Sequence, residues 1–256
     1  MILNKSDLVG LAESFGIPPR ETLLLLAHIL STNYTSLFFA KETHIPDVDY
    51  RTFLDYLRRH STGEPIAKII EKKEFYGLEF KTTRDTLDPR PETEKIIDLF
   101  REGYPDTTVS LGILDLGAGT GCIGITILSL YPAAECTFVD IDEKALNIAR
   151  YNSENLGVSS RSKFIESDWF SMVEGKFDAI VTNPPYVRED YDLRGGTLFD
   201  PPLALFGGFD GQRDVHNILR SATKYLKTNG ILIMEGLEIS GLPYILKMGE
   251  FSANDR

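Results

Sequence analysis

Asp115-Leu116-Gly117-Ala118-Gly119-Thr120-Gly121 decides how this chain is read. The apolar run Val109 to Leu116 leads into it as a strand, and Cys122 to Tyr131 leaves it as a helix. Glycines at alternate positions let a backbone turn tightly and approach a ligand closely. The helix behind them offers N–H donors with no intrahelical partner. Gly119, Gly121 and Gly124 also fit a G-x-G-x-x-G dinucleotide loop, with Asp140 about 20 residues on to accept from ribose hydroxyls. The loop alone therefore leaves nicotinamide and S-adenosylmethionine chemistry both open.

Outward from the loop the pattern is β-α-β-α. Glu135 to Val139 is predicted as a strand, Glu143 to Leu156 as a helix, Lys163 to Glu166 and Phe177 to Thr182 as strands. Asp210 to Leu226 is predicted helical, and Ile231 to Glu235 a strand after an Asn229-Gly230 turn. Strands alternating with helices predict a parallel sheet covered on both faces, a Rossmann-like α/β fold. Toward the N-terminus, Pro18-Pro19 precedes a leucine-rich helix from Arg20 to Leu30. Tyr50, Phe53, Leu54 and Leu57 share one face of a second helix. Gly63-Glu64-Pro65 ends that region, and Ile66 to Thr83 reads as a β-hairpin or bent strand pair. Asp88-Pro89-Arg90-Pro91 is extended or turn-like, because each proline restricts the residue before it, and Glu92-Thr93-Glu94 starts a helix. The expected organisation is a helical domain over 1–62, a hairpin linker over 63–88 and the α/β domain over 89–256. Asp190 to Phe209 is a long Gly- and Pro-rich loop of the kind that is usually functional or mobile.

Three features favour S-adenosylmethionine. Asp115 sets a carboxylate beside the loop, suited to the cationic end of such a ligand. Asp168-Trp169 offers an acceptor and an aromatic face for adenine, although Trp169 also reads as core. The strand Phe177 to Thr182 ends in Asn183-Pro184-Pro185-Tyr186. Proline gives no N–H to a sheet ladder, so this strand end stops abruptly and its carbonyls turn elsewhere. An Asn amide beside outward carbonyls is acceptor-rich and matches a planar NH2 group. Such a nitrogen is a poor nucleophile, because its lone pair is delocalised. Accepting both of its N–H groups, through the Asn183 side-chain oxygen and the Pro184 carbonyl, would hold it in line for methyl transfer. Tyr186 would pack on the planar group. The carboxyl ends of parallel strands share one crevice, so Gly117 to Gly121, Asp140, Asp168 and Asn183 are expected around one site.

The 256 residues carry a formal charge of −11, which opposes a large basic surface for gripping polyanions. No apolar run approaches the roughly 20 residues of a membrane span, and the N-terminus lacks a signal-peptide layout. Cys122 and Cys136 are too few for a disulfide framework or a four-cysteine zinc site and read as buried thiols in a reducing cytoplasm. His28, His44, His60 and His216 are scattered, and no metal site is expected.

Four stretches together resemble a known family: Asp88-Pro-Arg-Pro-Glu-Thr-Glu94, Asp115 to Gly121, Asn183 to Tyr186, and Pro201-Pro-Leu-Ala-Leu-Phe-Gly-Gly208 with Asp210-Gly211. The chain is similar over nearly its full length to the release factor glutamine methyltransferases, the HemK/PrmC group. The Asn-Pro-Pro-Tyr turn is shared with adenine-N6 DNA methyltransferases, which makes methylation of nucleic acid the alternative. The Pro-Arg-Pro-Glu-Thr-Glu run is far more specific. The resemblance implies a seven-stranded methyltransferase sheet with an N-terminal helical substrate-binding domain. It implies S-adenosylmethionine as methyl donor, S-adenosylhomocysteine as product, and the glutamine of the Gly-Gly-Gln loop of class I peptide-chain release factors as acceptor. Asp115, Gly117, Ala118, Gly119, Thr120, Gly121, Asp140, Asp168, Trp169 and Asn183 are then expected at the cofactor. Asn183, Pro184, Pro185 and Tyr186, with Arg90, Glu92 and Thr93 at the entrance, are expected at the substrate. Asn183, Pro184 and Tyr186 are the expected catalytic groups. A cytoplasmic monomer, with no membrane and no direct nucleic-acid partner, is the corresponding expectation. The chain departs from the family at Asp88, usually aliphatic, at Glu71, usually Gly, and at Phe251 to Arg256, which do not resemble the usual closing strands.

Overall fold

The computed structural model describes residues 1–237 and 243–249, with side chains through 236. The chain divides into two units, Met1–Glu71 with Leu193–Phe199, and Lys72–Asp192 with the chain from Asp200 onward. Among the described residues no helix is long and apolar enough to cross a membrane.

In the first unit, β1 (Ile2–Asn4) is followed by α1 (Lys5–Phe15), α2 (Pro19–Ile29) and α3 (Tyr34–Phe39). Then come β2 (Glu42–His44), α4 (Asp47–Ser61) and α5 (Ile66–Ile70). Asn4 and Asp7 start α1 by exchanging side-chain-to-backbone bonds, which satisfies otherwise orphaned N–H groups. The short antiparallel pair of β1 with β2 was not expected. Leu25 and Leu26 of α2, Phe53 and Leu57 of α4, and Ile45 are fully buried together, so the predicted i, i+4 face of α4 is the core face. Ile66–Ile70, expected in the hairpin, is helical instead. A five-residue apolar run after a proline suits either structure, and here Pro65 sits at the helix N-cap. Glu71 ends that helix at φ 54°, a left-handed conformation that glycine adopts without steric cost. The family's usual glycine at this position fits the same geometry.

The second unit opens with the hairpin, now confined to β3 (Lys72–Phe75) and β4 (Leu78–Lys81), whose Phe75 and Phe80 are buried. A 3-10 turn at Pro91–Thr93 leads into α6 (Glu94–Gly103). The alternation follows as β5 (Gly112–Leu116), α7 (Cys122–Leu130), β6 (Glu135–Asp140), α8 (Glu143–Asn155), β7 (Ser162–Glu166), β8 (Phe177–Thr182), α9 (Arg213–Tyr225), β9 (Leu226–Leu237) and β10 (Pro243–Gly249). The sheet runs β10-β9-β8-β5-β6-β7. All its pairings are parallel except that of β10 with β9. Six strands therefore stand among the described residues where the resemblance implied seven. The expectation for Phe251 to Arg256 lies outside the described residues. Asn229-Gly230 falls within β9 as an irregularity in its pairing with β8, with Asn229 at φ 65°.

Side chains alternate between two cores, as a strand period of two requires. Ile113, Ala179, Val181, Ile231 and Ile233 face α6 and α7. Leu114, Leu116, Ile180, Leu232 and Met234 face Val215, Ile218 and Ala222 of α9. The strand order reverses between β5 and β8, and open parallel sheets bind ligands outside the strand ends at such a switch point. Asn152 of α8 ties the hairpin to the glycine loop. Its side-chain oxygen accepts from Lys81 N (2.8 Å), and its amide donates to the carbonyls of Lys81 (3.0 Å) and Thr120 (2.9 Å).

Candidate active site

At that switch point lies a cavity of about 410 Å³. Gly117, Ala118, Gly119 and Thr120 of the glycine loop, Asp140, Asp168, Trp169, Asn183, Pro185, Arg90 and Thr93 all line it. Eleven chain-distant residues expected at one site thus converge on it. Asp115, Gly121, Glu92, Pro184 and Tyr186 lie outside its wall, and each has a physical reason or a second role to consider.

Asp115 is 1% exposed and sits beneath the loop, where its Oδ2 accepts from Gly124 N (2.9 Å) in the first turn of α7. Its Oδ1 is buried without a hydrogen-bond partner, and burial pushes the carboxyl up to about 8. The carboxyl expected to face a cationic ligand therefore lies under the loop, bonded to the first turn of α7, and does not line the cavity. Gly121 is covered by Ile125 and Ala149. Glu92 is exposed on the 3-10 turn, and Pro184 is buried in the wall's backing.

Asp140 does face the cavity. Its Oδ2 accepts from Gly119 N (2.9 Å) and its Oδ1 from Asp142 N (3.0 Å), while burial raises its pKa. A carboxylate has roughly four acceptor positions, so it can hold the loop and still accept from ligand hydroxyls. Trp169, at φ 47°, lays its ring against Gly117 and donates Nε1–H to Asp214 Oδ1 (3.2 Å). It packs partly on the core and also forms cavity wall. Cys122 lines the cavity as well, and burial pushes its thiol up to about 12, which keeps it protonated and non-nucleophilic at neutral pH.

The Asn-Pro-Pro-Tyr turn is held from two sides. Val187 N donates to Leu205 O (2.8 Å) and Gly207 N to Val187 O (2.9 Å), so the Pro- and Gly-rich loop runs alongside it. A β-carbon at Gly207 would fall 2.4 Å from Pro185 O, and one at Gly211 would fall 2.3 Å from Tyr186 O. On the other side stands Glu235 at the end of β9, 1% exposed. It accepts from Thr93 Oγ1 (2.7 Å) and from the Tyr186 hydroxyl (2.7 Å). Thr93 Oγ1 in turn accepts from Asn183 Nδ2 (3.1 Å). Burial raises the Glu235 pKa, while its two hydroxyl donors pull it down. The Tyr186 hydroxyl is thus committed to Glu235, and its ring lies outside the cavity wall.

Sequence reasoning missed Glu235, Asp142, Ser167, Asp214 and Asn217. A polar residue closing a strand or opening a helix carries no signal of its own, because such positions are polar for solvation and dipole reasons. Asp88, the departure from the family, is buried and accepts from Thr82 Oγ1 (2.6 Å) at the edge of the cavity.

A parallel sheet with a glycine loop, an acidic residue ending the next strand and an Asn-Pro-Pro-Tyr turn at the switch point defines an S-adenosylmethionine-dependent methyltransferase. A family profile described as "Methyltransferase small domain" matches residues 100–194, and one described as "PrmC N-terminal domain" matches residues 10–70. The release factor glutamine methyltransferase of Cereibacter sphaeroides is 36% identical over 87% of this chain and 81% of its own. That of Shewanella oneidensis is 32% identical over 97% of this chain and 91% of its own. The chain belongs to the release factor glutamine methyltransferase family. Among solved structures, a 16S rRNA N2 G1207 methyltransferase of Thermus thermophilus is 20% identical, with a TM-score of 0.46 over 65% of this chain and 41% of that one.

Proposed function

We propose that this chain methylates the side-chain nitrogen of the glutamine in the Gly-Gly-Gln loop of class I peptide-chain release factors, as a cytoplasmic enzyme. The observation that carries this reading is the Asn183 amide, which gives Nδ2–H to Thr93 and so keeps its oxygen for a ligand at the cavity wall. Thr93 comes from the Pro-Arg-Pro-Glu-Thr-Glu run, the stretch most specific to the family.

The cavity volume falls in the usual range for a drug-sized ligand. Gly119 has open space above its α-carbon, and the Asp140 carboxylate and the Trp169 ring stand at the same wall, a fit to an adenosine-bearing cofactor. In this reading Gly117 to Thr120, Asp140, Asp168 and Trp169 hold S-adenosylmethionine, which supplies an electrophilic methyl group when bound. Asn183 Oδ1 accepts one N–H of the glutamine amide and the Pro184 carbonyl the other. Two acceptors on one amide nitrogen favour the pyramidal, lone-pair-exposed geometry of attack and stabilise positive charge growing there. They also fix its orientation, which by itself can supply several kcal/mol of the barrier. Arg90, paired with Asp200 (2.6 Å), and Glu92 border the entrance. The helical unit takes the role of release-factor docking.

Incubation with labelled S-adenosylmethionine and a purified release factor, followed by peptide mapping, tests the proposal. Label on the Gly-Gly-Gln glutamine is expected, falling by about 10²–10³ in Asn183→Ala. Label elsewhere, or unchanged transfer in the variant, rejects it.

A further inference from the structure

The orientation of an Asn amide is a choice between two states that differ by exchange of oxygen and NH2. We propose that Glu235 is a positioning residue that makes this choice for Asn183, acting through the Thr93 hydroxyl. This rests on the reading of Asn183 Oδ1 as the acceptor for the substrate amide.

A carboxylate only accepts. Glu235 Oε2 lies 2.7 Å from Thr93 Oγ1, so the single hydroxyl proton of Thr93 is committed to Glu235. Thr93 Oγ1 can then only accept from its other neighbour. That neighbour is the Asn183 side chain at 3.1 Å, which must present Nδ2 and turn Oδ1 the other way. With the amide reversed, two acceptors would face each other at Thr93, and two NH2 groups would face each other at the substrate. Glu235 is 1% exposed and Thr93 2% exposed, so water cannot readily relieve the mismatch. The second carboxylate oxygen is committed in the same way to the Tyr186 hydroxyl at 2.7 Å, which pins Glu235 to the turn that carries Asn183. The relay joins residues 142 and 90 positions apart in sequence, and no local rule requires it.

Glu235→Gln keeps the shape but must donate from one end. Either Thr93 or Tyr186 then faces an NH2 group, and where it is Thr93 its proton is released toward Asn183. Thr93→Val keeps the shape and removes the hydroxyl. Each variant is expected to lower kcat by about 10–100-fold, with KM for the release factor and Kd for S-adenosylmethionine changed less than about 3-fold. Because the residues act in series, the double variant is expected to be no worse than the weaker single variant by more than about 3-fold. Thr93→Ser, which restores the hydroxyl, should recover most of the loss. In the enzyme alone, NMR should show contacts from the Asn183 NH2 protons to the Thr93 methyl, and these contacts should weaken in Glu235→Gln. Wild-type contacts without glutamine labelling would leave the relay standing and reject the proposed substrate. Absent contacts, kcat retained in both variants, losses that multiply, or a parallel loss of cofactor affinity would overturn the relay.

Discussion

Gly211 lies against Tyr186 so closely that a β-carbon would come within 2.3 Å of the Tyr186 carbonyl oxygen, and within 3.1 Å of its carbon. The glycine itself sits at φ 76°. The Asn-Pro-Pro-Tyr turn is therefore shaped partly by a loop that reaches it from the C-terminal side, through main-chain contacts that any side chain would break.

Gly211→Ala should displace this turn. The left-handed backbone costs about 1–2 kcal/mol for a residue with a β-carbon, and the overlap adds to it. A lowered Tm is expected, together with a drop in methyl transfer of at least about tenfold. Cofactor affinity, read by calorimetry, should change much less, because the glycine loop lies on a different strand end.

Asp140→Ala should act the other way round. It removes the acceptor of Gly119 N–H as well as a ligand-facing carboxylate. Hydrogen bonds to charged groups contribute about 1.5–3 kcal/mol, so Kd for S-adenosylmethionine should rise by about 10–100-fold. The thermal shift produced by a fixed cofactor concentration should shrink accordingly.

Asp115 predicts a pH dependence of stability. Its carboxyl is pushed up to about 8 by burial, against 3.8 when unperturbed. Between those values the folded state holds a proton that the unfolded state has released, so this group's contribution is full below about 4. It is lost progressively as pH rises through 8, at a limiting slope of about 1.4 kcal/mol per pH unit. Asp115→Asn keeps a polar group in place and removes the titration. Its Tm should fall less between pH 5 and pH 8 than that of the parent chain, and parallel profiles would reject the assignment.

Asn152→Leu should destabilise the link between the hairpin and the glycine loop. The substitution leaves Lys81 N, Lys81 O and the buried Thr120 O without their partner. Buried unsatisfied groups cost about 1–3 kcal/mol each. Urea unfolding should show a loss of at least about 2 kcal/mol.

The α/β alternation was legible because strand and helix periods differ and glycines mark the turn between them. Phe177–Thr182 was predicted to the residue, since a proline pair closes it. Ile66–Ile70 was misread because a short apolar run has no period of its own, and β1 with β2 is too brief to show one. Of the residues announced by backbone chemistry, Gly117, Gly119 and Pro185 line the cavity, whereas Gly121 and Pro184 do not. Asp140, placed by its spacing from the loop, faces the cavity. Asp115 lies beneath the loop and not in the cavity wall, because sequence does not reveal which way a strand residue faces near its end. Glu235 was invisible as a site residue. Its meaning comes only from Thr93 and Tyr186, which the fold brings to it from 142 and 49 positions away.

That one carboxylate has a consequence for how such chains can diverge. Its three correspondents sit on two other segments, Thr93 in the run before α6 and Asn183 and Tyr186 in the turn after β8, and each owes its hydrogen-bond polarity to the others. A substitution at one of them strands its neighbours, whereas a joint exchange does not. Thr93, Asn183, Tyr186 and Glu235 should therefore pass through descent as a single heritable character, changing together or not at all.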